Sequence, residues 1–275
     1  MGRVEIAVGD NGMVTFWLDN PGKLNALNET MLATLTNGIR HHGAQAACRL
    51  IVVRGRNDTF CAGRDVAGLQ RTEGSASPDA LEQIRPAREL AEALIDCPVP
   101  TVAAVAGRAV GLGMGMVVWC DMAICEASAT FSVPEARIGI PPSMIALSLV
   151  RAIGPRATAD LVLRGRTVDA GHASQIGLVQ KVCEDAAGMD AELAVLSSDV
   201  WRCSPAALRG SKRLLREISD MPFDDGFSRA IEVAAASLGS ADAIEGMDAF
   251  RSKRPPGWTL EPTPATADGR KTPSK

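Results

Sequence analysis

The stretch that most constrains the fold runs from Thr101 to Gly139, TVAAVAGRAVGLGMGMVVWCDMAICEASATFSVPEARIG. It opens on an apolar, β-branched run over 101–106, which reads as a buried strand. Glycines at 107, 111, 113 and 115 then break the pattern, and 114–119 begins an apolar segment too rich in glycine to be a second strand. The order predicts strand, tight loop, helix start. A helix start leaves backbone N–H groups without intrahelical partners at the positive end of the dipole, where a developing anion is stabilised. A second apolar run, 122–125, leads on to Pro134-Glu135. An anion-stabilising loop followed by a carboxylate is the skeleton of proton-transfer chemistry. Dinucleotide binding fails on spacing, because the sixth place counted from Gly111 is Met116 where the fingerprint needs glycine.

The remaining composition narrows the class. A chain of 275 residues with 46% apolar content can bury one large α/β domain, or a core with an appendage. Its net charge of −3 argues against a general nucleic-acid surface. Apolar runs are interrupted well short of a membrane span, and MGRVEIAVGD lacks the form of a signal peptide. Seven cysteines without a CxxC pair read as reduced core residues, which points to the cytoplasm and to no metal site. His41, His42 and His172 show no ligand spacing and read as surface or helix-end residues.

Taken in order, 4–8 and 14–18 form a hairpin around Asp10-Asn11-Gly12, and 28–40 is an amphipathic helix. Residues 50–53 are a buried strand ending in the loop Phe60-Cys61-Ala62-Gly63-Arg64-Asp65. Strand, glycine loop and helix start thus occur twice, which suggests a repeated ββα construction. The polar segment 70–79 is expected to be mobile, and 81–95 a helix stopped by Pro98 and Pro100. Helices follow over 142–153 and 155–163, with a last strand at 178–182. Beyond 189 the pattern is helical over 191–200, 205–218, 223–238 and 241–250, with Phe227, Ile231, Ala234 and Leu238 on one stripe. That stripe is expected to pack on the chain's own core, a neighbouring subunit, or both. The tail 255–275 holds five prolines and reads as extended or disordered.

The run Lys23-Leu24-Asn25-Ala26-Leu27-Asn28, the loop 60–65, the block 107–121, the motif 131–139 and Glu245-Gly246-Met247-Asp248-Ala249-Phe250 through Lys253-Arg254 together resemble the crotonase, or enoyl-CoA hydratase/isomerase, superfamily. The resemblance covers roughly residues 3–254. It implies an α/β fold, a spiral of ββα repeats over 1–188 that binds acyl-CoA, with a helical region over 189–254 for capping and trimerisation. It implies a homotrimer or dimer of trimers, and no cofactor, the CoA thioester being substrate. Carried over by position, the backbone N–H groups of Arg64 and Leu112 would form an oxyanion hole and Glu135 would carry the proton. The Ala26 backbone would meet the CoA adenine, Ala62, Gly63, Asp65 and Gly111 would belong to the substrate site, and Phe250 and Lys253 would meet the nucleotide end of CoA. The Arg64 guanidinium itself reads as a solvated loop cation. Asp65 reads as an N-cap for a following helix and Asp121 as a structural carboxylate.

One departure matters. Hydratases of the best-known type carry two glutamates, and the first of those positions here is Gly115. Single-glutamate members include Δ3,Δ2-enoyl-CoA isomerases and hydratases of the methylglutaconyl-CoA type, and 139–145 looks more like the latter. The expectation is a hydratase acting on a 2-enoyl-CoA, with isomerisation close behind and a non-catalytic acyl-CoA-binding paralogue as the alternative of another class. An RNA-binding scaffold has no basic stripe to support it.

Overall fold

The computed structural model describes residues 2–65 and 78–259. Strands β1 (Arg3–Val8) and β2 (Met13–Asp19) form the expected antiparallel hairpin. Helix α1 (Glu29–Ala44) starts where Asn28 accepts from the Met31 amide at 2.9 Å, a side-chain cap for an otherwise orphan donor. Strand β3 (Leu50–Gly55) follows, then α2 (Pro78–Ile95), β4 (Thr101–Val105), β5 (Arg108–Val110) and α3 (Leu112–Trp119). Next come β6 (Met122–Glu126), β7 (Thr130–Ser132) and α4 (Ser143–Arg164). In α4, Gly154 leaves helical geometry at φ 79°, ψ 167°, so the two helices expected over 142–153 and 155–163 lie end to end across a kink. Strand β8 (Thr167–Asp169), the short α5 (Ala170–Gln175) and β9 (Lys181–Cys183) complete the strands. Helices α6 (Ala186–Arg202), α7 (Pro205–Ile218), α8 (Phe223–Leu238) and α9 (Ala241–Arg251) close the described chain.

The main sheet has the order β1-β2-β3-β4-β6-β9 and is parallel from β2 onward, while β5, β7 and β8 make a second, smaller sheet. A ββα repeat follows directly: β4, β5 and α3 form one turn, and β6, β7 and α4 the next. The turn before them keeps its second strand only as a bridge, Cys61 pairing in parallel with Ala109, which pairs in turn with Phe131. All three are fully buried. The main sheet is covered on both faces, which explains why its strands read as continuous apolar runs. Ile51 and Val53 join the core beneath α1 and α2, whereas Leu50 and Val52 meet Met189, Leu193 and Val200 of α6 on the other side. The expected division at 188/189 therefore falls inside a helix that belongs to the sheet's second face.

Two expectations change, at the last strand and at the start of the tail; one falls mostly outside the described residues, and one keeps only one of its alternatives. The last strand starts at Lys181 and not at Leu178, because the amides of Leu178 and Val179 turn back to the Ala173 carbonyl and cap α5. The polar segment expected over 70–79 lies outside the described residues up to 77, and 78–79 already belong to α2. Of the packings expected for the α8 stripe, the one on the chain's own core is absent, with Phe227, Ile231 and Leu238 at 59%, 56% and 67% exposed, and the one on a neighbouring subunit stays open. The tail is ordered at its start, since the Gly257 amide donates to Glu245 at 2.7 Å and the Trp258 ring sits against Gly246; 260–275 lie outside the described residues. The cysteines are all unpaired, and five of the seven are buried. No described helix is long and apolar enough to cross a membrane.

Candidate active site

Two loops meet in front of the second sheet, and their backbones are sewn together. The Ala62 amide donates to Leu24, Leu27 donates to Gly63, and Asp65 donates to Leu27, at 3.0, 2.8 and 2.9 Å. Asn25, with φ 57°, anchors the first loop from inside: its side chain accepts from the Asn20 amide and donates to the carbonyls of Arg56 and Thr59. Asparagine tolerates the left-handed backbone there, the one signal by which its role was legible in sequence. The Ala26 amide is used on Lys23, and its carbonyl accepts from Asn20 Nδ2 at 2.8 Å. Lys23 and Asp65 form an ion pair at 2.5 Å across the joint. The helix that Asp65 was expected to cap would fall outside the described residues.

The direction of the Arg64 amide follows from the bridge. Leu27 and Arg64 pair in parallel, so the carbonyl of Gly63 and the amide of Asp65 face Leu27 and the Arg64 N–H points the other way. The start of α3 lies close to this loop. A Cβ built at Gly63 would stand 3.1 Å from the Val110 carbonyl and 3.6 Å from the Leu112 amide, so only glycine, at φ 105°, lets the loops approach this closely. Leu112 is the first residue of α3, whose N-cap, Gly111, has no side chain to cap it. Among the described residues neither the Arg64 nor the Leu112 amide has an acceptor. Leu112 is 7% exposed and belongs to the main apolar core.

Glu135 opens a short 3-10 turn over Glu135–Ile138 after β7. Its carboxyl group lies over Gly111: a Cβ there would come 2.7 Å from Glu135 Oε1. Oε2 is buried with no hydrogen-bond partner. Desolvation raises its pKa above the ordinary carboxylate value, opposed in part by a bond from its own backbone amide. A carboxylate desolvated in this way is a stronger base than a solvated one.

The Arg64 guanidinium is not the solvated cation expected. Its side chain is 15% exposed, donates to Glu29 at 2.6 Å and to the Gln83 carbonyl, and leaves Nε buried without a partner. It ties the loop carrying its own amide to α1 and α2. Asp121 is structural as expected, accepting from the Thr101 amide and hydroxyl and from Lys212 at 2.7, 2.9 and 2.7 Å. Phe250 and Lys253 lie on α9 and the turn after it, where Phe250 is 86% exposed; α9 packs with α7 and α8. The structure thus brings together Ala26, Ala62, Gly63, Arg64, Asp65, Gly111, Leu112 and Glu135, but not Phe250 or Lys253.

Sequence reading missed Trp119. A Cβ at Gly115 would lie 2.7 Å from its Cη2, so the indole occupies the space into which a second carboxylate would project.

A spiral of ββα turns with two glycine loops and a carboxyl over the second defines a fold class, and comparison with known proteins places the chain in a family. The chain belongs to the enoyl-CoA hydratase/isomerase family, whose pattern it matches over residues 9–261. A Thermus thermophilus relative whose name places it among enoyl-CoA hydratases is 32% identical over 251 residues, 91% of this chain and 99% of that one. The 2,3-dehydroadipyl-CoA hydratase of Escherichia coli is 30% identical, over 87% of this chain and 92% of its own. The crystal structure of an enoyl-CoA hydratase from Mycobacterium smegmatis superposes with a TM-score of 0.85 at 27% identity, covering 94% of this chain and 99% of that one. The family is one of enzymes.

Proposed function

We propose that the chain adds water to a 2-enoyl-CoA thioester through an enolate held by the Arg64 and Leu112 amides, with Glu135 carrying the proton. The single observation behind this is the Glu135 carboxyl group, half-buried over Gly111 and one residue from the Leu112 amide. In the addition, Glu135 takes a proton from water while the hydroxide oxygen bonds to C3. The alkene electrons move to C2 and the thioester oxygen becomes the enolate. Protonated Glu135 then returns its proton to C2 and the thioester carbonyl re-forms, so one water is consumed and the carboxylate regenerated. Each main-chain donor facing the enolate oxygen contributes about 3 kcal/mol, by analogy with other oxyanion holes.

Gly115 favours a second reading. With the indole of Trp119 over it, Glu135 is the one carboxyl that the described residues bring to the site. One carboxyl suffices to take a proton from C2 of a 3-enoyl-CoA and return it to C4, which is Δ3,Δ2 isomerisation. The hydratase names of the relatives incline the reading to hydration. The exposed stripe of α8 and the exposed Phe250 support assembly as a homotrimer or dimer of trimers, with the helical region as its contact and Phe250 and Lys253 reaching a neighbour's CoA.

Incubation with crotonyl-CoA, a 3-enoyl-CoA and a branched glutaconyl-CoA, with products read by mass spectrometry, separates the readings. Hydration adds the mass of water, while isomerisation leaves the mass unchanged and moves the double bond. Thioester binding without turnover of any of the three would indicate a non-catalytic acyl-CoA binder.

A further inference from the structure

Gly111, Gly115 and Trp119 are spaced four residues apart along the start and body of α3, so they share one helix face. The Glu135 carboxyl stands over the first, and the Trp119 indole folds back over the second. The ring is held there: its Nε1 donates to Ser148 Oγ on α4 at 3.0 Å, Ser148 donates to the Met144 carbonyl at 3.2 Å, and Trp119 is 4% exposed.

Trp119 also lines an open cleft of ≈ 520 Å³ between α3, α4 and α7. Ile95, Val118, Met122, Leu208 and Leu215 make its wall apolar. Its charged groups are already paired: Lys212 with Asp121 at 2.7 Å, Arg151 with Asp220, and Arg216 with Asp96. Such a cleft suits hydrocarbon and offers no spare charge to a polar ligand.

We infer that Trp119 is the closed end of the acyl site, a specificity-determining side chain that confines the substrate to short acyl-CoA thioesters and separates the site from a cleft able to hold a longer chain. The inference rests on the acyl-CoA reading above. It names the substrate class as short, and it makes the bulk at 119 responsible both for that limit and for the missing second carboxyl.

The test measures binding of butyryl-CoA and decanoyl-CoA, saturated thioesters that need no turnover, by calorimetry with wild type, Trp119→Ala and Trp119→Phe. Turnover of crotonyl-CoA and 2-decenoyl-CoA is measured alongside. Wild type is expected to prefer the butyryl thioester at least about tenfold, since a single methylene in an apolar pocket is already worth roughly tenfold or more. Trp119→Ala should move the ratio toward decanoyl-CoA by at least about tenfold, and Trp119→Phe by less. Equal binding of both thioesters by wild type, or an unchanged ratio in a folded Trp119→Ala protein, would overturn the inference. If the alanine variant does not fold, the phenylalanine variant decides by the same ratio. Chain-length discrimination without turnover of either enoyl-CoA would leave this inference standing and remove the hydratase and isomerase readings. Failure of wild type to bind either thioester would remove both.

Discussion

Replacing Gly111 with alanine probes the joint between the oxyanion loop and the proton carrier. Gly111 sits at φ 54°, ψ −117°, where a residue with a side chain is strained by about 1–3 kcal/mol. The new Cβ would stand 2.7 Å from Glu135 Oε1, so the carboxyl must retreat by about 0.7 Å to reach ordinary contact. Misplacing a catalytic group by about 1 Å costs on the order of a hundredfold in rate. Thermal unfolding should therefore show a loss of about 2 kcal/mol, or about 4 °C in Tm for a chain of this size. In the same protein kcat on an enoyl-CoA should fall about a hundredfold. Gly177→Ala is the control: Gly177 has φ 78° and nothing within 4 Å of an added Cβ, so it suffers backbone strain without touching the site. It should lose stability and keep its rate. A Gly111→Ala enzyme that is destabilised yet turns over at the wild-type rate would refute the placement of Glu135 as proton carrier.

Glu135→Gln should lower kcat at least about a hundredfold, the loss expected of a general base, while KM for the thioester stays close to wild type. Because folding raises the Glu135 pKa, the folded state disfavours its ionised form, and this cost sets in as pH rises through the folded-state value. The glutamine variant should accordingly be more stable than wild type at neutral pH, with the advantage shrinking as pH falls toward ordinary carboxylate values. In wild type the acid limb of kcat/KM should lie above the ordinary glutamate pKa of 4.5; a limb at that value would refute the desolvated setting. Gly115→Ala drives a methyl group into the Trp119 ring and should cost about 1–3 kcal/mol by denaturant unfolding. Lys212→Met strips Asp121 of its cation and the Val99 carbonyl of its donor, and should cost about 2–4 kcal/mol without changing the Glu135 pH profile.

Much of the fold was legible because local chemistry and tertiary placement agree. The hairpin at Asp10-Asn11-Gly12, the Asn28 cap and the strand-loop-helix order from Thr101 to Trp119 each follow from residues adjacent in sequence. What escaped was non-local or too short to show a period. Strands β5, β7 and β8 have three residues each, and only pairing with one another makes them a sheet. Arg64 read as a surface cation because its partners Glu29 and Gln83 lie 35 and 19 positions away. Assigning α6 to an appendage had the same cause, since its partners Leu50, Val52, Val102 and Ile124 are far back in the chain.

By itself, the sequence determined which backbone atoms are left free: glycines at 63 and 111 and a helix start at Leu112 with no side-chain cap are consequences of local sterics. It also put Glu135 behind the loop and a glycine, Gly115, where a second glutamate would stand. Only the tertiary structure decided that the Arg64 amide turns away from Leu27, that Glu135 comes to rest over Gly111, and that an indole fills the space above Gly115. Those placements depend on the parallel register of Cys61, Ala109 and Phe131, contacts between residues dozens of positions apart whose closure no local pattern encodes.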